Sequence, residues 1–74
     1  MRYAVVIEKA AENYSAYVPD LPGCVATGST IEETTREIAE AIQFHLEGMR
    51  QHGEAIPKPS SVADYVEVES AHIQ

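Results

Sequence analysis

Along residues 2–8, Tyr3, Val5 and Ile7 alternate with Ala4, Val6 and Glu8. Period-two patterning of this kind predicts a strand with one wholly apolar face and a second that is mostly apolar, hence a central place in its sheet. Lys9–Asn13 is a polar hairpin loop in which Asn13 suits a positive-φ position. Tyr14, Ala16 and Val18 then alternate with Ser15 and Tyr17 over a second strand, residues 14–18, and residues 24–28 read as a short third strand at an edge. Between them stands Pro19-Asp20-Leu21-Pro22-Gly23. Its prolines fix φ and remove backbone donors, so no ladder continues through it, and Gly23 supplies the backbone freedom of a tight reversal.

The period changes at Thr30. Thr30 with Glu33 three residues on forms a capping box, and the apolar residues then recur at helical spacing. At roughly 100° per residue, Ile31, Thr35, Ile38, Ala41, Ile42, His45, Leu46 and Met49 share one stripe, predicting a helix over 31–51 with that face on the sheet. Gly53 is a natural stop just beyond it. Ile56-Pro57-Lys58-Pro59-Ser60-Ser61 is a stiff extended connector, residues 63–69 carry a fourth strand pattern with Val66 and Val68 on one face, and Ser70–Gln74 are expected to fray. A strand–helix–strand return is right-handed, which brings the fourth strand back parallel beside the first. The expected architecture is α+β, β-β-β-α-β: a four-stranded mixed sheet, order 3-2-1-4, with one helix on one face of a single domain, residues 1–74. The opposite face, carrying Tyr17 and Val6, is left without cover, so a homo-oligomer, dimer or higher, is expected.

Charge sharpens this picture. Twelve acidic residues against five basic ones give a formal charge of −7, which argues against direct nucleic-acid binding and suits a basic partner, although on charge alone simple solubility is the favoured reading. Cys24 is the sole cysteine, so no internal disulfide forms, and a small buried hydrophobe is the expected role. With no long apolar run and with Glu8, Lys9 and Glu12 close to the start, neither a membrane span nor a secretion signal is predicted, and the expected location is cytoplasmic.

Candidate chemistry is sparse. His45 and His52 lie two helical turns apart, about 10 Å along the axis, too far to share one ion. Glu8, Asp20 and Asp64 fall at strand ends or turns, no nucleophile–base pair is apparent, and no phosphate-cradling loop precedes the helix. No catalytic residue, metal or cofactor is therefore expected. Asp20 is expected to bond its own turn backbone. A second helical stripe is more informative: Glu33, Glu37, Glu40, Phe44 and Glu47 lie within roughly 80° of each other, opposite the core stripe. It reads as an anionic docking surface around an apolar anchor, or as a solvated face on which Phe44 packs against a neighbouring subunit.

The wording of the chain also carries a resemblance. Tyr3-Ala4-Val5-Val6-Ile7-Glu8, the run Tyr14 to Cys24 with its Pro-Asp-Leu-Pro-Gly-Cys, the Thr30-Ile31-Glu32-Glu33 helix start, Glu40 to Gly48 and Ile56-Pro57-Lys58-Pro59-Ser60 together resemble the HicB family of prokaryotic antitoxins across essentially the whole length. The resemblance implies a partial RNase H-like fold and a non-enzymatic role in a type II toxin–antitoxin system: masking the active site of a HicA-like toxin, a small basic protein that cleaves mRNA. Together with the acidic stripe, it leads to expected partner contacts at Glu33, Glu37, Glu40, Phe44 and Glu47, and secondarily at the turn through Asp20 and Leu21. Many family members carry a further C-terminal DNA-binding domain, and a short form without one is the expectation for this chain. The alternatives are an orphan oligomeric HicB-fold protein without a toxin, and a vestigial metal-dependent nuclease, which the placement of the acids argues against.

Overall fold

A computed structural model describes residues 1–69. The elements run β1 (Val6–Lys9), β2 (Tyr14–Tyr17), β3 (Val25–Gly28) and α1 (Ile31–Gln51). The three strands form one antiparallel sheet in the order β1-β2-β3, with Ile7 opposite Ala16 and Ala16 opposite Ala26. β2, not β1, is therefore the central strand. β1 is shorter than the alternation predicts because residues 2–5 extend past the end of β2, where Pro19 interrupts the partner chain.

One face of the sheet and one side of α1 share the core. Ala16, Val18, Leu21, Cys24, Ile38 and Leu46 are buried, with Tyr3, Val5, Ile7, Ala26, Ala41, Ile42, Met49 and Ile56 packed around them. The period-two reading of the strands is preserved in this list. The helix stripe is rotated at its N-terminal end: Ile31 and Thr35 are exposed, and Thr34 is fully buried instead. The cause is Gly28. A Cβ there would lie 2.5 Å from Thr34 Oγ1 and 2.8 Å from Thr34 N, so the bare backbone of β3 lets the first helical turn press down at Thr34. Thr34 satisfies its buried hydroxyl by donating to the Thr30 carbonyl at 2.7 Å.

Both ends of α1 are closed as the sequence asks. Thr30 Oγ1 accepts from Glu33 N at 3.0 Å, and the Glu33 carboxylate accepts from Ser29 N and Ser29 Oγ, a capping box displaced one residue outward. At the other end Gly53 has φ +69°, and Glu54 N and Gly53 N donate to the carbonyls of Met49 and Arg50. This is a Schellman closure. The β1–β2 hairpin closes through Ala10 N on the Asn13 carbonyl at 2.7 Å. Asn13 keeps a negative φ, contrary to the sequence expectation, because that bond needs no left-handed residue.

Among the described residues the fourth strand is not formed. Residues 57–69 follow the helix without ladder bonds, and the four-stranded order 3-2-1-4 is replaced, among the described residues, by a three-stranded sheet. Tyr65 is 97% exposed and Val62 89%. The expected fraying of Ser70–Gln74, and His72 with it, lies outside the described residues.

Candidate functional site

Two exposed features stand out from the packed body. The first is the outer face of α1. Glu37, Glu40, Phe44 and Glu47, spaced three, four and three residues apart, line one side of the helix. All four are exposed, Phe44 to 83%. Ile38, Leu46 and their neighbours hold the opposite side of α1 on the sheet, which directs this stripe outward. Arg50 pairs with Glu47 at 2.9 Å in an exposed i,i+3 contact, which leaves the acidic character of Glu37 and Glu40 uncompensated by any ion pair among the described residues. A large apolar ring flanked by carboxylates can seat in an apolar pocket rimmed by lysines or arginines, with Phe44 supplying the desolvated contact.

The second feature is the open face of the sheet. Val6 stands opposite Tyr17, and Tyr17 opposite Val25, in one row across all three strands. Tyr17 and Val25 are exposed large apolar residues. The sequence pattern indicated Tyr17 and Val6. Val25 was missed, although its alternation with the inward-facing Cys24 and Ala26 carried the signal.

The structure separates the remaining sequence candidates from the helix stripe. Leu21 is 1% exposed and belongs to the core. Glu33 is partly buried and engaged as the helix cap, where the Ser29 hydroxyl and amide hold its carboxyl below the usual carboxylate range. Asp20 does not bond its own turn. Its carboxylate accepts from Ser60 N at 2.8 Å and Ser61 N at 3.0 Å, and from both hydroxyls, forty residues away. Those donors, the Ser61 and Ser60 amides foremost, lower its pKa to about 2. The turn itself is two successive reversals: Leu21 N donates to the Val18 carbonyl, then Cys24 N to that of Leu21, with Gly23 at φ +84°. Pro22 and Gly23 thus fill the two central places of a type II turn. Beside them the hydroxyl of Tyr3 donates to the Pro57 carbonyl. The Pro-Asp-Leu-Pro-Gly-Cys segment is accordingly a latch that holds the C-terminal connector against the sheet.

Burial pushes the Cys24 thiol up, as suits a packing residue rather than a nucleophile. His52 uses its Nδ1 at the Gly48 carbonyl, 2.7 Å away, in the helix C-cap. Among the described residues no three His, Cys, Asp or Glu side chains are placed to hold a metal ion, and no helix is long and apolar enough to cross a membrane.

Fold and surface together describe a small acidic α+β module with two exposed faces among its described residues. Comparison with known proteins places it further. A family model described as the HicB-like antitoxin of bacterial toxin–antitoxin systems matches residues 3–72, and the chain belongs to that family. It is 41% identical over 66 residues to an uncharacterized 14.9 kDa protein of Haemophilus phage HP1, covering 89% of this chain and half the length of the phage protein. It is 39% identical over 62 residues to a UPF0150 protein of Thermoplasma acidophilum, covering 82% of this chain and 90% of that one. A solved HicA3 and HicB3 toxin–antitoxin complex contains a chain superposing with a TM-score of 0.70 at 30% identity, over 80% of this chain and 70% of that one. Family membership makes this a non-enzymatic regulatory protein with a toxin–antitoxin role.

Proposed function

We propose that this protein neutralises a small basic HicA-like, mRNA-cleaving toxin by covering its active site, with the α1 stripe of Glu37, Glu40, Phe44 and Glu47 as the principal contact. The exposed Phe44 ring set among carboxylates carries the reading. The formal charge of −7 agrees with it, since an RNA-cleaving partner needs a cationic surface to hold its substrate, and an acidic protein competes for that surface. Family membership and the likeness to a HicA–HicB complex supply the class of partner. Glu33 serves this surface indirectly by fixing the start of the helix, while Asp20 and Leu21 act through the latch and the core.

Charge steers the encounter, and burial of the ring supplies the affinity. Full burial of a Phe side chain is worth about 1.5–3 kcal/mol, so Phe44→Ala is expected to weaken the complex by about 10- to 100-fold. The test is co-expression with a short basic reading frame encoded beside this gene, followed by pull-down and an RNA-cleavage assay. The expected result is a salt-sensitive complex that suppresses cleavage and is weakened by Phe44→Ala and by Glu40→Lys. A complex indifferent to both substitutions would move the contact off the helix face. No complex with any such neighbour would leave an orphan family member.

A further inference from the structure

Because β2 is the central strand, β3 closes the sheet on one side, and among the described residues no strand pairs with its outer edge. The register says which groups that edge offers. Val18 N donates to the Cys24 carbonyl, so Val18 and Cys24 form a hydrogen-bonded pair. The alternation of an antiparallel ladder then makes Ala16–Ala26 and Tyr14–Gly28 the next such pairs. Val25 and Thr27 stand at the intervening places, with their amides and carbonyls directed away from β2. Both residues are exposed. The edge ends just beyond them, since Cys24 N is spent on the Leu21 carbonyl and Ser29 N on the Glu33 carboxylate.

Sheets ordinarily blunt an outer edge with proline, a charged side chain, a bulge or a covering element. Val25-Ala26-Thr27-Gly28 has neither proline nor charge, and its register with β2 runs without a bulge. The surroundings set the sign of an occupant. From Ala10 to Thr35 the chain has no lysine or arginine but four carboxylates, Glu12, Asp20, Glu32 and Glu33. The last two lie in the first turn of a helix that packs chiefly over β3. The other outer strand, β1, ends instead in Lys9 and is preceded by Arg2.

We propose that the edge of β3 receives an extended strand of a basic protein, paired through the main chain of Val25 and Thr27. The inference rests on the basic partner read from the α1 stripe and adds a backbone contact to the side-chain one. Alternation fixes the pattern such a strand should carry. Every second residue falls on the open face of the sheet, where an apolar side chain extends the row Val6–Tyr17–Val25. The residues between fall on the face that carries α1, where basic side chains meet the field of Glu32 and Glu33. A second copy of this chain is the poorer occupant, because each copy carries a formal charge of −7.

Two probes separate this contact from the α1 stripe. The first is the protein alone, titrated with a capped octapeptide of alternating lysine and valine and followed by amide NMR. The Val25 and Thr27 amides are expected to exchange fast in the free protein, then to shift and gain protection as peptide is added. The corresponding glutamate–valine peptide should leave them unmoved, and Phe44→Ala should leave the response intact. The second probe is the complex with the basic protein encoded beside this gene. Thr27→Pro removes an outward donor but no ladder bond within the sheet, and is expected to weaken that complex by about 10-fold. Protection of Val25 and Thr27 in the protein alone would place a second copy on the edge and overturn the proposal. So would silence toward the lysine peptide, an equal response to both peptides, a response confined to β1, or a complex indifferent to Thr27→Pro. Binding of the lysine peptide at β3 with no complex formed by the neighbouring protein would uphold the edge and remove the toxin assigned to it.

Discussion

Gly28→Ala is the sharpest single test of how the helix is seated. Gly28 does not have a positive φ, so alanine meets no backbone penalty there. On conformational entropy alone the substitution would stabilise the protein by about 0.4–1 kcal/mol. Sterics oppose it. The new Cβ would stand 2.5 Å from Thr34 Oγ1, 2.8 Å from Thr34 N and 3.0 Å from Thr34 Cα. The hydroxyl cannot turn away freely, because it is fully buried and bonded to the Thr30 carbonyl. Nor can the amide yield cheaply, since it donates to the same carbonyl at 2.9 Å in the first turn of α1. Overpacking of this kind costs about 1–3 kcal/mol, so the net expectation is a loss of about 1–2 kcal/mol and a melting point lower by about 5–15 °C. Gly48→Ala is the built-in control: nothing lies within 4 Å of its Cβ position, and it sits inside the helix, where alanine is favoured by about 1 kcal/mol. Thermal and urea unfolding of the two variants should therefore move in opposite directions. If Gly28→Ala matches or exceeds the parent in stability, the seating of Thr34 on bare strand backbone is wrong.

Three further outcomes follow from the same geometry. Thr30→Ala removes the acceptor for Glu33 N and should cost about 1 kcal/mol, read as a lowered urea midpoint with unchanged m-value. Leu21→Ala deletes a wholly buried side chain and should cost about 2–5 kcal/mol, comparable to the whole stability of about 3–5 kcal/mol expected for so small a core, so circular dichroism should show a largely unfolded variant at 37 °C. Asp20 has its pKa lowered from 3.8 to about 2, so its contribution to stability is complete above pH 3.8 and is lost as the pH falls through about 2. Acid unfolding of Asp20→Asn should lack that component of pH dependence, and an identical acid profile for both proteins would argue against the latch.

What was legible in the sequence was local. The helix was placed at 31–51, as observed, because its signals are short-range: Thr30 and Glu33 at one end and Gly53 at the other. The inward faces of the strands followed from alternation. Contacts set by distant parts of the chain were not legible. Burial of Thr34 rather than Thr35 depends on the missing side chain of Gly28 on another element. The binding of Asp20 to Ser60 and Ser61 spans forty residues, and the local Asx-turn was the nearer alternative. The fourth strand expected over residues 63–69 does not form among the described residues: pairing is a property of two edges, and the periodicity of one segment does not say which edge it meets. At the candidate site the stripe of Glu33, Glu37, Glu40, Phe44 and Glu47 is visible from helical spacing, but Glu33 is engaged as the helix cap; Asp20 and Leu21 come in through the wording of the turn motif and are occupied structurally.

The latch also has a meaning in time. Asp20 and Ser60 are separated by β3, α1 and the connector, so their bonds can close only after the intervening chain has found its place. The cost of bringing the two ends together rises only slowly with loop length once the helix is seated. Ser60 and Ser61 then carry backbone amides that lie outside every ladder and helix yet are held by a carboxylate. Hydrogen exchange at those two amides would report the opening of the connector separately from the unfolding of α1.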